Sequence, residues 1–473
     1  MAGRPRRPQR TPRPRAPAQK AVLTAVDHGH PLRVKQLDFA PASRTGSWGT
    51  FAESFLRFNE RALHELDVTP RLVASQPEPT IELTPGARTG AVPLRSAQTG
   101  SIVAGLVVKP RFGWAGVGEV MSETGWAASP NFLDLPLVPG SARQVPPWVL
   151  AGPVLFRLRT LLESVAPGYA AREEVRRSPR GTVLWNRYTS ESLVRGAWHK
   201  LPCRFPDLSV DPLIRSHVRW AVERVRGDLL RVGSTEPIAA ALVRLASRLL
   251  EQLMDVLSAK PRSMQLDRLA SSRTLMNAAL RQGLQALGWV VDERGLGGGQ
   301  EMDGLAWQLP LEDLWERYVE AKVRDEVARE GGEVTVGRLR QTVFPLHWST
   351  NTVRSMTHLV PDIVVRRGRT LRVVDAKYKA HFAELDEHAW TRLTDDVRET
   401  HRADIHQILA YASLYDADEV TATLVYPLRL TTWEQLREHG RDRARAELFH
   451  GSRCVRLEMR GLPFGFSSRA VAA

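Results

Sequence analysis

Leu359-Val360-Pro361-Asp362-Ile363-Val364-Val365-Arg366-Arg367-Gly368-Arg369-Thr370-Leu371-Arg372-Val373-Val374-Asp375-Ala376-Lys377-Tyr378-Lys379 decides how this chain reads. Two apolar, β-branched runs at 363–365 and 371–374 flank a polar segment holding one glycine, the pattern of a β-hairpin. A four-residue turn over 366–369 pairs Val365 with Thr370 and sets Asp362 opposite Val373. Alternation then puts Asp362, Val373, Asp375 and Lys377 on one face of the hairpin. The two aspartates become diagonal neighbours at roughly 7–8 Å, near enough to hold one divalent cation together. A slip of one residue would separate them.

Three ionisable groups on an apolar hairpin are costly unless a cation and an anionic substrate offset their charge. Oxygen-only ligands select a hard ion, so Mg2+ or Mn2+ is expected on Asp362 and Asp375. Such an ion polarises a phosphoryl oxygen while Lys377 orients the nucleophile or neutralises charge, which is the chemistry of phosphodiester hydrolysis. A lone Asp-x-Lys is ordinarily a solvated strand edge. Here strand, carboxylate, turn, second strand and Asp-x-Lys coincide in order.

Working outward, LEDLWERYVEAKVRDEVARE (311–330) is an amphipathic helix with Leu314, Tyr318 and Val319 facing a core. Downstream, HQILAYASLY (406–415) places Gln407 and Tyr411 four apart on one helix face, ahead of the strand TATLVYP (421–427). Lys379 shares the strand face of Lys377 and is a candidate phosphate contact. Arg366, Arg367 and Arg369 form a basic tip able to grip a DNA backbone without reading sequence. His401 and His406 are five apart, off a shared helical turn, and read as surface or capping residues.

The pair Pro361-Asp362 and Asp375-Ala376-Lys377 resembles the PD-(D/E)xK nuclease superfamily. With VPDIVV, VVDAKYK, the spaced QILAYA and LVYPL, residues 304–473 are similar to the McrC nuclease subunit of modification-dependent, McrBC-type restriction systems. The resemblance extends weakly upstream, to GSIVAGLVVKPRFG and the segment around LPCRFPDLSVDPLIRSHVRWAV. It implies a metal-dependent DNA endonuclease subunit of a bacterial, cytoplasmic defence system. Asp362 and Asp375 would be metal ligands and Lys377 a catalytic group. Glu316 best matches the acidic residue on the preceding helix, with Glu312 and Glu320 as lesser candidates. Gln407 and Tyr411 match the supporting QxxxY motif of nucleases similar to the RecB nuclease domain. The family's nuclease works with a separate AAA+ GTPase or ATPase motor, McrB-like, bound through the amino-terminal part. Consistently, the chain has no GxxxxGK[ST] loop. A noncatalytic adaptor that activates an NTPase through a vestigial nuclease fold is the competing reading.

The rest of the chain sets the frame. At 473 residues, with 43% hydrophobic and 25% charged residues, it is too long for one core and has the apolar content for several. The net charge is +14, of which residues 1–20, with six Arg, one Lys and no acid, supply +7. That segment is proline-rich and reads as a disordered basic tail, favouring a polyanionic partner such as DNA. Cys203 and Cys454 are far apart and make no metal-ligand spacing or disulfide framework, which fits a reducing compartment. No run of about 18 apolar residues suggests a membrane span.

The expected organisation is multidomain α+β. A β-rich partner-docking region spans 21–146, with short apolar runs broken by Gly, Pro, Ser and Thr. A mainly helical connector spans 147–294, its apolar residues recurring three or four apart, with a strand-like insert between Arg172 and Cys203. The glycine run at 295–299 marks a boundary, and a carboxy-terminal α/β PD-(D/E)xK nuclease domain spans 304–473.

Overall fold

The computed structural model of the chain describes residues 21–35, 47–73, 80–126, 130–140, 145–164, 168–209, 212–232, 237–262, 278–291, 304–349, 356–380, 392–417, 419–450 and 453–465, with four single residues between them. The basic segment 1–20 and the glycine run at 295–299 lie outside the described residues.

The amino-terminal region holds β1 (Ala21–Val26), β2 (Leu32–Val34), β3 (Val68–Val73), β4 (Thr80–Pro85), β5 (Arg88–Arg95) and β6 (Ile102–Lys109). A small sheet has the order β2-β4-β3, while β1 runs parallel to β6 and β6 antiparallel to β5. The region is β-rich as expected, but it also carries α1 (Trp48–Glu65) and α2 (Gly113–Glu123). Helix α1 follows from Phe51, Phe55, Ala62 and Leu63, whose spacing forms one apolar stripe, packed on Ile81, Leu83, Leu94 and Leu106. A two-residue strand β7 (Asn131–Phe132) follows.

Among the described residues, four long helices carry the middle: α3 (Pro147–Ser164), α4 (Pro212–Val232), α5 (Pro237–Glu251) and α6 (Ala278–Val291). They bury Trp148, Val154, Leu158, Val218, Val222, Leu242, Leu284 and Leu287. The insert is real: β8 (Gly168–Arg176), β9 (Thr182–Val183) and β10 (Leu201–Ser209) make an antiparallel sheet in the order β8-β10-β9. No helix among the described residues is long and apolar enough to cross a membrane.

Strand β11 (Trp307–Pro310) returns to the amino-terminal region and inserts between β5 and β7, giving the order β1-β6-β5-β11-β7. Gly90 allows it, because a Cβ there would lie 2.2 Å from the Trp307 carbonyl. Helix α7 (Leu311–Glu330) starts at once from β11, so the chain enters its last unit from inside the first sheet. Trp307, Leu314, Trp315, Val374, Val425 and Phe464 accordingly share one core with the helices of the middle region.

The last unit adds β12 (Glu333–Val336), β13 (Phe344–Pro345), β14 (His358–Leu359), β15 (Ile363–Arg367), β16 (Thr370–Ala376), α8 (Asp395–Ser413), β17 (Glu419–Leu428), α9 (Leu430–Glu438), β18 (Arg443–His450) and β19 (Arg453–Pro463). Its six-stranded sheet has the order β12-β15-β16-β17-β19-β18, with β16, β17 and β19 parallel. The pleat sends Ile363, Val365 and Val374 into the core shared with α7. It sends Val364, Leu371 and Val373 to the other face, against Ile408 and Tyr411 of α8.

The hairpin register differs from the sequence expectation. Val365 pairs with Arg372 and Arg367 with Thr370, so the turn has two central residues, Gly368 and Arg369. Positive φ falls only on Gly368, at 56°, and this left-handed first position closes a tight turn that matches the strand twist. Continuing the register sets Asp362 opposite Asp375 rather than Val373. Because the slip is two residues, the shared face is kept.

Candidate functional site

Asp362 stands one residue before β15 and Asp375 near the end of β16, so the hairpin holds the two carboxyls against each other. The amide of Ala376 donates to Asp362 Oδ2 at 3.0 Å. Asp375 is almost fully buried, at 1% exposure. Burial pushes the Asp362 carboxyl well above the usual carboxylate range, reinforced by the nearby Asp375 and Glu316 and by a hydrogen bond between the two aspartates.

Lys377 lies on the same face. Its Nζ is 2.8 Å from Asp375 Oδ2 and donates to Gln407 Oε1 at 2.9 Å. Gln407 Nε2 in turn donates to Tyr411 Oη at 2.9 Å, so the pair spaced four apart on α8 orients the lysine. Burial alone would lower the Lys377 pKa, but Asp375, Asp404 and Asp362 outweigh it and hold the ammonium above its ordinary value. Lys377 is therefore a fixed positive charge at neutral pH, suited to an anionic substrate rather than to removing a proton.

Helix α7 brings Glu316 close enough to act on Asp362 through space. Its own carboxyl is raised, first by burial and then by Asp313. Trp315 fixes this part of the helix, its indole N–H donating to the Val425 carbonyl at 3.2 Å. Glu320 is committed elsewhere: its carboxylate takes Arg338 at 2.7 and 2.9 Å and Arg324 at 2.9 Å. Glu312 is exposed on the first turn of α7.

The donor chemistry fits a hard divalent cation. Two carboxyls pressed together either share a proton or gather a cation between them, and Mg2+ typically takes one or two carboxylates with water and phosphate oxygens completing its shell. Among the described residues, no group of three or more His, Cys, Asp or Glu side chains is arranged to hold a metal ion. The aspartate pair would thus supply the protein's share of the ligands.

A family model described as "McrBC 5-methylcytosine restriction system component" matches residues 158–427, more than half of the chain. The chain belongs to that family. Among solved structures, it is similar to a refined half-complex from a tetradecameric assembly of Thermococcus gammatolerans McrB AAA+ hexamers with bound McrC. That likeness has 12% identity, a TM-score of 0.39, and coverage of 94% of this chain and 95% of that one. It is also similar to a cryo-EM structure of the Thermococcus gammatolerans McrBC complex, at 12% identity and a TM-score of 0.27, covering 65% of this chain and 88% of that one. No curated protein matches.

In this McrBC family member, Asp404 joins the site although the sequence reading did not single it out. It is buried on α8, accepts Lys379 Nζ at 2.7 Å and lies 3.9 Å from Lys377 Nζ. The signal was present: His401, Asp404, Ile408 and Tyr411 recur at helical spacing on one buried face. His401 is correspondingly buried inside α8, with its Nδ1 3.4 Å from Tyr426 Oη, and is neither the surface nor the capping residue expected, whereas His406 is exposed. The arginines of the hairpin tip are not brought to the carboxylates. Arg366, Arg367 and Arg369 are exposed at the opposite end of the hairpin, roughly 17 Å away along the strands. Arg367 there bonds Glu330 and the Gly331 carbonyl, both at 3.0 Å.

Proposed function

We propose that this McrBC family member is a McrC-like, Mg2+- or Mn2+-dependent DNA endonuclease subunit that works with a separate AAA+ motor. The observation that carries this is the pair Asp362 and Asp375 abutting across one hairpin, with Lys377 held between Asp375 and Gln407. A decayed adaptor would have no reason to keep a buried carboxyl pair and a trapped ammonium together, since each is costly without a task.

In this reading Asp362 and Asp375 hold the cation, which when bound supplies Lewis acidity and charge neutralisation to a phosphodiester. Lys377 places a fixed positive charge beside the scissile phosphate and orients the attacking water. Gln407 and Tyr411 keep its Nζ in place, while Lys379, set by Asp404, meets a neighbouring phosphate. Glu316 adds negative charge that strengthens the cation site. The motor is a McrB-like partner, and modified DNA is the substrate class.

The test is cleavage of methylated plasmid DNA by the full-length chain with its motor partner, nucleotide and Mg2+, beside Asp375→Ala. Loss of cleavage in the variant, with folding and motor binding kept, is expected. Cleavage by the variant at the wild-type rate would rule the assignment out.

A further inference from the structure

Tyr378 separates the two lysines of the site and points the other way. Lys377 and Lys379 face α8, whereas Tyr378 is 2% exposed and packs into the core shared with the amino-terminal region. Its Oη donates to Asp27 Oδ2 at 2.9 Å, a bond spanning 351 residues of sequence. Asp27 follows β1 directly, is fully buried and accepts the backbone amide of Arg111, just beyond β6. Arg111 closes the cluster: its Nε is 3.6 Å from Asp27 Oδ2 and its guanidinium lies 4.5 Å from the Tyr378 ring centroid and 4.9 Å from that of Phe112. Phe112 stacks on Phe464 at 4.7 Å, and Phe464 on Trp315 at 5.8 Å.

The segment gripped in this way needs a grip. Residues 377–379 run past the last paired residue of β16. Among the described residues, the Lys377 amide reaches β17 through a bond to the Val425 carbonyl at 2.9 Å, and the Lys379 amide bonds only back to Lys377. A phenylalanine would fill the aromatic cluster equally well, so the phenol is there for its hydrogen bond. A carboxyl acceptor in a dry site makes that bond short of alternatives and therefore directional.

We propose that Tyr378 and Asp27 are positioning residues for the candidate site: the amino-terminal sheet holds the segment that carries Lys377 and Lys379 through the phenol-to-carboxylate bond, and so sets where both ammonium groups stand. This deepens the hydrolytic reading of the site and rests on it.

The experiment compares full-length wild type, Tyr378→Phe, Asp27→Asn and the double variant by hydrogen exchange and mass spectrometry. In Tyr378→Phe, amides over 376–380 should exchange about 10-fold faster while β17 and α8 stay within about twofold of wild type. Asp27→Asn should do the same, and the double variant should be no worse than the larger single effect. Unchanged exchange over 376–380 in Tyr378→Phe, or a rise spread evenly over the protein, would overturn the proposal. In cleavage assays with the motor and nucleotide, kcat of Tyr378→Phe should fall about 10-fold, with at most a few-fold rise in KM for DNA from the displaced Lys379. A loss of DNA affinity with kcat unchanged would overturn the positioning of Lys377. Asp375→Ala run beside them reports separately on the hydrolytic reading, because exchange over 376–380 does not depend on cleavage.

Discussion

Asp362 and Asp375 occupy directly opposed places on the hairpin, with the Ala376 amide donating to Asp362 at 3.0 Å and fixing it there. Burial raises the Asp362 carboxyl, as does the adjoining Asp375. A raised carboxyl favours the protonated folded form, so its contribution to stability is full below the ordinary aspartate range and is lost as pH rises through the raised value. Asp362→Asn removes that loss. The metal-free variant should therefore melt higher than wild type at pH 8, by roughly 1 °C for each kcal/mol of relieved repulsion in a chain of this length, and the gap should close toward pH 4. Thermal melts in EDTA across that range check it, and a gap independent of pH would contradict the shared-carboxyl picture. Added Mn2+ should raise the melting temperature of wild type and leave the variant unmoved.

Gln407 is the acceptor that fixes Lys377 Nζ, at 2.9 Å, and it is itself fixed by Tyr411. Gln407→Ala frees the ammonium to swing toward Asp404 and should lower kcat for cleavage about 10- to 100-fold, the range typical of groups that orient a functional side chain. Tyr411→Phe leaves the Gln407 to Lys377 bond in place and should cost only a few-fold. Single-turnover cleavage rates with saturating motor and nucleotide distinguish the two, and equal losses would mean that Tyr411 acts on the site by another route.

Much of this site was readable from the sequence because it is local. Strand alternation alone puts Asp362, Asp375 and Lys377 on one face, and the helical period alone puts Gln407 and Tyr411 together. The register was not readable, since whether Arg366 and Arg367 belong to the turn or to the strands depends on the φ of Gly368. That error was harmless because it was even in residue number. The contacts that cross the chain left no sequence signal. Nothing near Asp27 announces that its carboxylate meets Tyr378, and the four residues 307–310 are too few for periodicity to show which sheet takes them. Helix α1 was hidden differently: its apolar stripe is interleaved with Arg, Asn and Glu amid a region rich in turn residues.

Glu320 lies one helical turn beyond Glu316, yet its surroundings make it structural. Burial would raise its pKa, but Arg338 and Arg324 outweigh that and hold the carboxylate below its usual range. A depressed carboxyl contributes stability that is present above its unfolded value and lost as pH falls through the folded one. Glu320→Gln should thus cost about 2 kcal/mol in denaturant unfolding at pH 7 and progressively less in acid, with kcat for cleavage unchanged. A fall in kcat with stability intact would instead move Glu320 into the site and return Glu316 to the background.

Gly337 carries the last constraint on Asp362. Its amide donates to the Asp362 carbonyl at 2.8 Å, and a Cβ on it would lie 2.6 Å from the Pro361 carbonyl oxygen and 2.9 Å from Val360 Cγ1. The nearest of these is backbone, which cannot turn aside as a side-chain end can, so Gly337→Ala must displace the segment leading into β15. The overall cost should be modest, about 1–3 kcal/mol for a single overpacked contact. The effect on the carboxyl pair should be larger in proportion, because opposed ligands tolerate little misplacement. Calorimetric titration with Mn2+ should show affinity about 10-fold weaker than wild type in a folded variant. Wild-type Mn2+ affinity in Gly337→Ala would mean that the pair is set by the β15–β16 ladder alone, and that the close approach at Gly337 serves only its packing against Val360, Pro361 and Thr342.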